Sequence, residues 1–162
     1  MKQWLLSVAA LALAPSLPAE ARQSPKAPTE GMVSAADPRA AAAGVEILRA
    51  GGSATDAAIA TMLALNVVEP QSSGIGGGSY WVRHGTKGTD TIDARETAPM
   101  AATPNWFYGP DGRPLSHAEA VPGGRSVGVP GALRGMALAH AQGGRLPWAR
   151  LFQPAIRLAR DG

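Results

Sequence analysis

Between Ala57 and Val68 the chain carries a run that leaves almost no wet face on any helix built from it. Wound at 3.6 residues per turn, Ile59, Met62, Leu63, Leu65, Val67 and Val68 point to every side, with alanines between them. A helix of this kind needs protein around most of its circumference. It predicts a buried central element, and more cover than a chain of 162 residues readily supplies. Ser53 opens it with Asp56 three residues on, a capping-box-like start with Asp in place of the usual Glu. Glu69-Pro70 closes it, because proline disfavours helical backbone in the residue before it.

The neighbouring segments read by the same local signals. Met32 to Ala36 is short and apolar and predicts an opening strand. Asp37-Pro38 starts a helix, with Asp capping free amides and Pro suited to the first helical position; Gly51-Gly52 stops it after Ala50. Ser79 to Arg83 and Asp90 to Asp93 predict a hairpin turning around Lys87-Gly88. Residues 98–128 are rich in Pro, Gly and polar groups and predict mainly loop. Helices are expected from Pro130 to about Ala141 and from Pro147 to Arg160, the second interrupted at Pro154. The fold class is therefore α+β, with about three strands in a sheet small for a self-sufficient fold.

The N-terminus has the marks of a secretory signal over residues 1–21. Lys2 precedes an apolar run from Leu5 to Ala14, then come helix-breaking Pro15 and Pro18 and the small-x-small triplet Ala19-Glu20-Ala21. That run is shorter than the ~20 residues a bilayer span needs. Residues 22–31 predict a flexible leader, and residues 32–162 the folded part. A periplasmic or extracellular location is expected, with no membrane attachment once the signal is removed. Cysteine is absent, which excludes thiol catalysis, Fe–S clusters and disulfide staples. The net charge of +3 comes from scattered arginines without aromatic interleaving, so no nucleic-acid partner is expected.

Few residues suggest chemistry. The glycine run 74–78 fails the dinucleotide fingerprint, with Ser79 where the third glycine should fall and a strand where a helix should follow. It reads as a tight turn that allows close backbone approach. His84, His117 and His140 lack partners at metal-ligand spacing and read as surface residues, so no metal site is expected. No serine or threonine stands in a recognisable nucleophile motif. Asp93-Ala94-Arg95-Glu96 lies at the end of a predicted strand, where side chains often face a site. Arg95 has the planar fork that suits a carboxylate, but Asp93, Arg95 and Glu96 also read as an ordinary surface ion-pair cluster. The residues alone leave both readings open.

Six segments in order resemble the γ-glutamyltransferases (γ-glutamyl transpeptidases, glutathione hydrolases). They are Gly31-Met-Val-Ser-Ala-Ala-Asp37, Gly44-Val-Glu-Ile-Leu-Arg-Ala-Gly-Gly52 continuing to Ala58, Glu69 to the glycine-rich loop ending at Gly78, Ile92-Asp-Ala-Arg-Glu-Thr-Ala-Pro99, Ser126-Val-Gly-Val-Pro-Gly131 and Gln153 to Gly162. The resemblance covers nearly all of residues 31–162 and implies the N-terminal part of the large subunit of an N-terminal-nucleophile hydrolase. Such a precursor cuts itself in two, and its subunits form an αββα sandwich. The freed threonine of the small subunit attacks γ-glutamyl amides such as glutathione, and water or an amino acid then takes the glutamyl group.

On this resemblance Arg95 holds the α-carboxylate of the γ-glutamyl group, with Asp93 and Glu96 supporting it. The implied partners are a γ-glutamyl substrate and the small subunit. No cofactor is needed, and no catalytic residue falls within this chain, so the segment alone is expected to be inactive. Two alternatives stand beside this: a related cephalosporin or glutaryl acylase, and a short non-catalytic binding module. An uncovered apolar helix at 57–68 would argue against the second, since large apolar patches drive association.

Overall fold

The computed structural model describes residues 31–162, so the expected signal segment lies outside the described residues. Helix α1 spans Pro38–Arg49 and α2 spans Ala54–Val68. Strands β1 (Ser79–Gly85) and β2 (Gly88–Ala94) follow. After a long irregular stretch containing the short helix α3 (His117–Ala120) come α4 (Ala132–Gly143), α5 (Trp148–Leu151) and α6 (Gln153–Asp161).

The local signals act as their chemistry requires. The Asp37 carboxylate accepts the Arg39 backbone N–H at 2.7 Å, and Pro38 takes the first turn of α1. Gly51 has φ +88°, a conformation that suits glycine after a helix end. At the head of α2, Asp56 N–H donates to Ser53 Oγ at 3.1 Å and Ser53 N–H donates to Asp56 Oδ2 at 2.9 Å, a complete capping box. Pro154 lies in the first turn of α6, just past the break at Phe152.

The expectation of a strand at residues 32–36 is corrected: the segment is irregular. A strand needs a neighbouring edge to satisfy its amides, and the described sheet contains β1 and β2 alone. Val33 instead packs against the core and lies beside Gly44 of α1. The expected shortage of cover for α2 holds only in part. Helices α1, α4, α5 and α6 all pack on it. Asp56, Ala57, Ile59, Ala60, Thr61, Leu63 and Ala64 are buried, while Met62, Leu65, Val67 and Val68 are half-buried. These four helices, folded back over a single rod, supply most of its cover, so α2 exposes no large apolar patch.

The antiparallel hairpin presents two unlike faces, as its side-chain alternation requires. Trp81 faces Ile92 in register, and both are buried under α4 with Ala94 and Met136. Tyr80 and Val82 point the other way, 66% and 75% exposed. Arg83 ties the hairpin to α4. Its Nε donates to Asp90 Oδ1 at 3.1 Å, Nη1 to the Ala139 carbonyl at 3.2 Å, and Nη2 to Gln142 Oε1. Its side chain is only 17% exposed, so the Ala139 carbonyl loses a partner if the guanidinium is removed. Arg83→Ala is expected to lower stability by about 1–2 kcal/mol. A chemical-denaturation midpoint indistinguishable from the parent would contradict that.

A candidate carboxylate-binding site at the end of the hairpin

The close approach of α4 sets the end of β2. Gly131 and Ala132 N–H groups both donate to the Gly77 carbonyl, at 3.1 and 3.0 Å. A Cβ at Gly131 would stand 2.2 Å from the Ala94 carbonyl oxygen, and one at Gly135 would stand 2.4 Å from Ala94 Cβ. The glycine run 74–78 acts on the other side of the same strand end. Gly77 N–H closes a turn on the Gly74 carbonyl at 3.2 Å. A Cβ at Gly78 would come within 2.8 Å of Arg95 Cα and 2.6 Å of Glu96 Oε2. The run therefore serves as the tight, close-packing turn expected of it. Thr97 and Val129 exchange backbone hydrogen bonds at 3.3 and 2.8 Å, which fastens the chain just beyond Glu96 to the approach of α4.

Arg95, Asp93 and Glu96 are brought together at this end. Arg95 N–H donates to Asp93 Oδ1 at 2.9 Å, and Arg95 Nε donates to Glu96 Oε2 at 3.0 Å. The Arg95 side chain remains 67% exposed and that of Glu96 33%. The Tyr80 phenol, and after it Glu96, hold the Arg95 guanidinium above its ordinary basicity. The Glu96 carboxyl is held below the usual carboxylate range, first by its own backbone N–H and then by Arg95. The pair thus stays ionised at neutral pH. Glu96 occupies Nε, and the remaining fork of Nη1 and Nη2 is the part of a guanidinium suited to a bidentate carboxylate. A cavity of about 560 Å³ opens beside Arg95 and Glu96, walled by Trp106, Phe107 and Arg125. Arg125 Nη1 donates to the Trp106 and Tyr108 carbonyls at 3.3 and 3.1 Å, and Trp106 Nε1 donates back to the Arg125 carbonyl at 2.8 Å. That reciprocal clamp gives the irregular stretch a defined wall.

Among the histidines, His84 and His117 are exposed. The surface reading of His140 is corrected. Its Nε2 lies 2.8 Å from the Leu146 carbonyl oxygen and 3.7 Å from Asp56 Oδ1, and its ring packs 5.3 Å from Trp148. The helix end at Gly143 turns the chain back over His140, which local spacing does not reveal. Among the described residues no group of His, Asp or Glu side chains is arranged to hold a metal ion.

The class these features define is an α+β segment whose helix-backed hairpin ends in an exposed arginine paired to a neighbouring glutamate. The sequence model described as Gamma-glutamyltranspeptidase matches residues 40–162, and the chain belongs to that family. The glutathione hydrolase proenzyme of Bacillus subtilis (strain 168) is 41% identical over 98% of this chain and 29% of its own length. Scoloptoxin SSD14 of Scolopendra dehaani is 56% identical over 75% of this chain and 20% of its own. The crystal structure of Helicobacter pylori gamma-glutamyltranspeptidase superposes with a TM-score of 0.76 at 37% identity, covering 82% of this chain and 38% of that one. The chain thus spans less than a third of the length of these two curated relatives.

Proposed function

We infer that the chain is the N-terminal part of the large subunit of a precursor that cleaves γ-glutamyl amides, glutathione among them, and passes the glutamyl group to water or an amino acid. In that reading the hairpin belongs to an αββα sandwich of the N-terminal-nucleophile type. The open face bearing Tyr80 and Val82 is covered by the small subunit, which supplies the threonine nucleophile and the oxyanion hole. The carrying observation is the geometry of Arg95: strand end, Nε tied to Glu96, and a side chain 67% exposed beside a cavity. Asp93 supports it by accepting its backbone N–H. Residues 1–21 act as a secretory signal, which places the mature protein in the periplasm or outside the cell. Among the described residues no helix is long and apolar enough to cross a membrane. The matched family model and the Bacillus relative favour γ-glutamyl chemistry over the acylase alternative.

The test is Arg95→Ala in the complete precursor that carries this segment, assayed with a chromogenic γ-glutamyl anilide. Loss of a charge-assisted bidentate pair is expected to raise KM about 100-fold, the equivalent of ~2–3 kcal/mol. Arg95→Lys should fall between, since an ammonium keeps the charge and loses the fork. An unchanged KM in a variant that still matures into two subunits would remove Arg95 from the substrate site.

A further inference from the structure

The hairpin register puts one further side chain beside Arg95. Tyr80 pairs with Asp93 across the two strands, and Arg95 stands two residues beyond Asp93. Tyr80 is thereby the diagonal neighbour of Arg95 on the open face, at a spacing of about 7–8 Å between backbones that long side chains bridge. Its ring makes no part of the core: it is 66% exposed, while its neighbour Trp81, on the opposite face, is 7% exposed. Among the described residues the ring therefore has no packing partner in the core, and the arginine is a charged group the register puts within its reach.

We propose that Tyr80 is a positioning residue for Arg95, its phenol oxygen holding the guanidinium from one side while the Glu96 carboxylate holds Nε from the other. This rests on the reading of Arg95 as the substrate anchor and adds the element that aims it. The phenol stands ahead of Glu96 among the groups that raise the basicity of Arg95, in keeping with direct engagement. The choice of group also has a chemical reason. A guanidinium on a long side chain loses rotamer freedom when it binds, and fixing it beforehand removes that cost from the binding step. A third carboxylate beside Asp93 and Glu96 would fix it equally well but would repel an anionic ligand. A phenol hydroxyl accepts the hydrogen bond without placing a further carboxylate beside the ligand, and leaves the positive charge available.

The experiment is a double-mutant cycle in the complete precursor with the chromogenic γ-glutamyl anilide as substrate. Tyr80→Phe removes only the hydroxyl. It is expected to raise KM about tenfold with kcat at saturation held within about twofold. In an Arg95→Ala background the same change is expected to do nothing further, because the group it aims is gone. A Tyr80→Phe KM within about twofold of the parent overturns the inference, as does an equal rise in the Arg95→Ala background. The two readings fail separately. If Arg95→Ala leaves KM unchanged, the anchor itself falls and Tyr80 with it. If Arg95→Ala raises KM and Tyr80→Phe does not, the role of Tyr80 alone is refuted.

Discussion

Asp56→Ala is expected to cost the protein about 3–5 kcal/mol, a large share of the stability of a domain of this size. The carboxylate is fully buried. One oxygen, Oδ2, accepts three backbone N–H groups: Ser53 at 2.9 Å, Arg145 at 2.9 Å and Leu146 at 3.1 Å. The last two belong to the turn between α4 and α5, so this side chain ties the head of α2 to a segment 89 residues away. Alanine would strand those three donors in a place where water does not reach, each at a cost of ~1–3 kcal/mol less whatever relaxation recovers. Asparagine keeps an acceptor of the same shape and should retain most of the stability. The measurement is hydrogen exchange by mass spectrometry, with a thermal melt beside it. Protection at the Arg145 and Leu146 amides should collapse in Asp56→Ala and persist in Asp56→Asn. Retained protection in the alanine variant would mean that the turn is held by something else, such as the His140 contact with the Leu146 carbonyl.

Gly131→Ala carries the largest expected effect on activity away from Arg95 itself. A Cβ there would stand 2.2 Å from the Ala94 carbonyl oxygen and 2.8 Å from that of Arg95. Both are backbone atoms, so no rotamer change relieves the contact. The start of α4 has to retreat from the end of β2, and the hydrogen bonds from Gly131 and Ala132 to the Gly77 carbonyl go with it. The strand end carrying Arg95 then shifts, and a displacement near 1 Å in a positioning element is enough to cost about 100-fold. In the complete precursor, kcat/KM for the γ-glutamyl anilide should fall by about that factor. Gly124→Ala is the control, since its Cβ would meet open space and its backbone lies outside the left-handed region. Equal activity of the Gly131 and Gly124 variants would show that the close approach of α4 does not set the position of Arg95.

The helices and the hairpin were readable from the chain because their causes are local. Asp37-Pro38, Ser53 with Asp56, Glu69-Pro70 and Pro154 each act within a turn of themselves, and each does in the structure what its chemistry predicts. The apolar strip at 32–36 misled for a related reason. Its composition suits a strand, but a strand exists only with a partner, and whether an edge is available is not written in five residues. His140 misled in the same way: its spacing shows no partner, while the turn back at Gly143 brings Leu146 and Trp148 against it.

By itself the sequence determined most of the helices and the hairpin, the glycine turn, the lack of cysteine in this chain and, through the resemblance of six ordered segments, the family. Only the tertiary structure decided how the sides of α2 are covered, that Asp56 serves the α4–α5 turn as well as its own cap, that Arg83 reaches Gln142 across 59 residues, and that Tyr80 stands beside Arg95. The physical reason is common to all four. Each contact joins residues distant along the chain, so its existence depends on how whole elements pack against one another, and no local periodicity or capping rule carries that information.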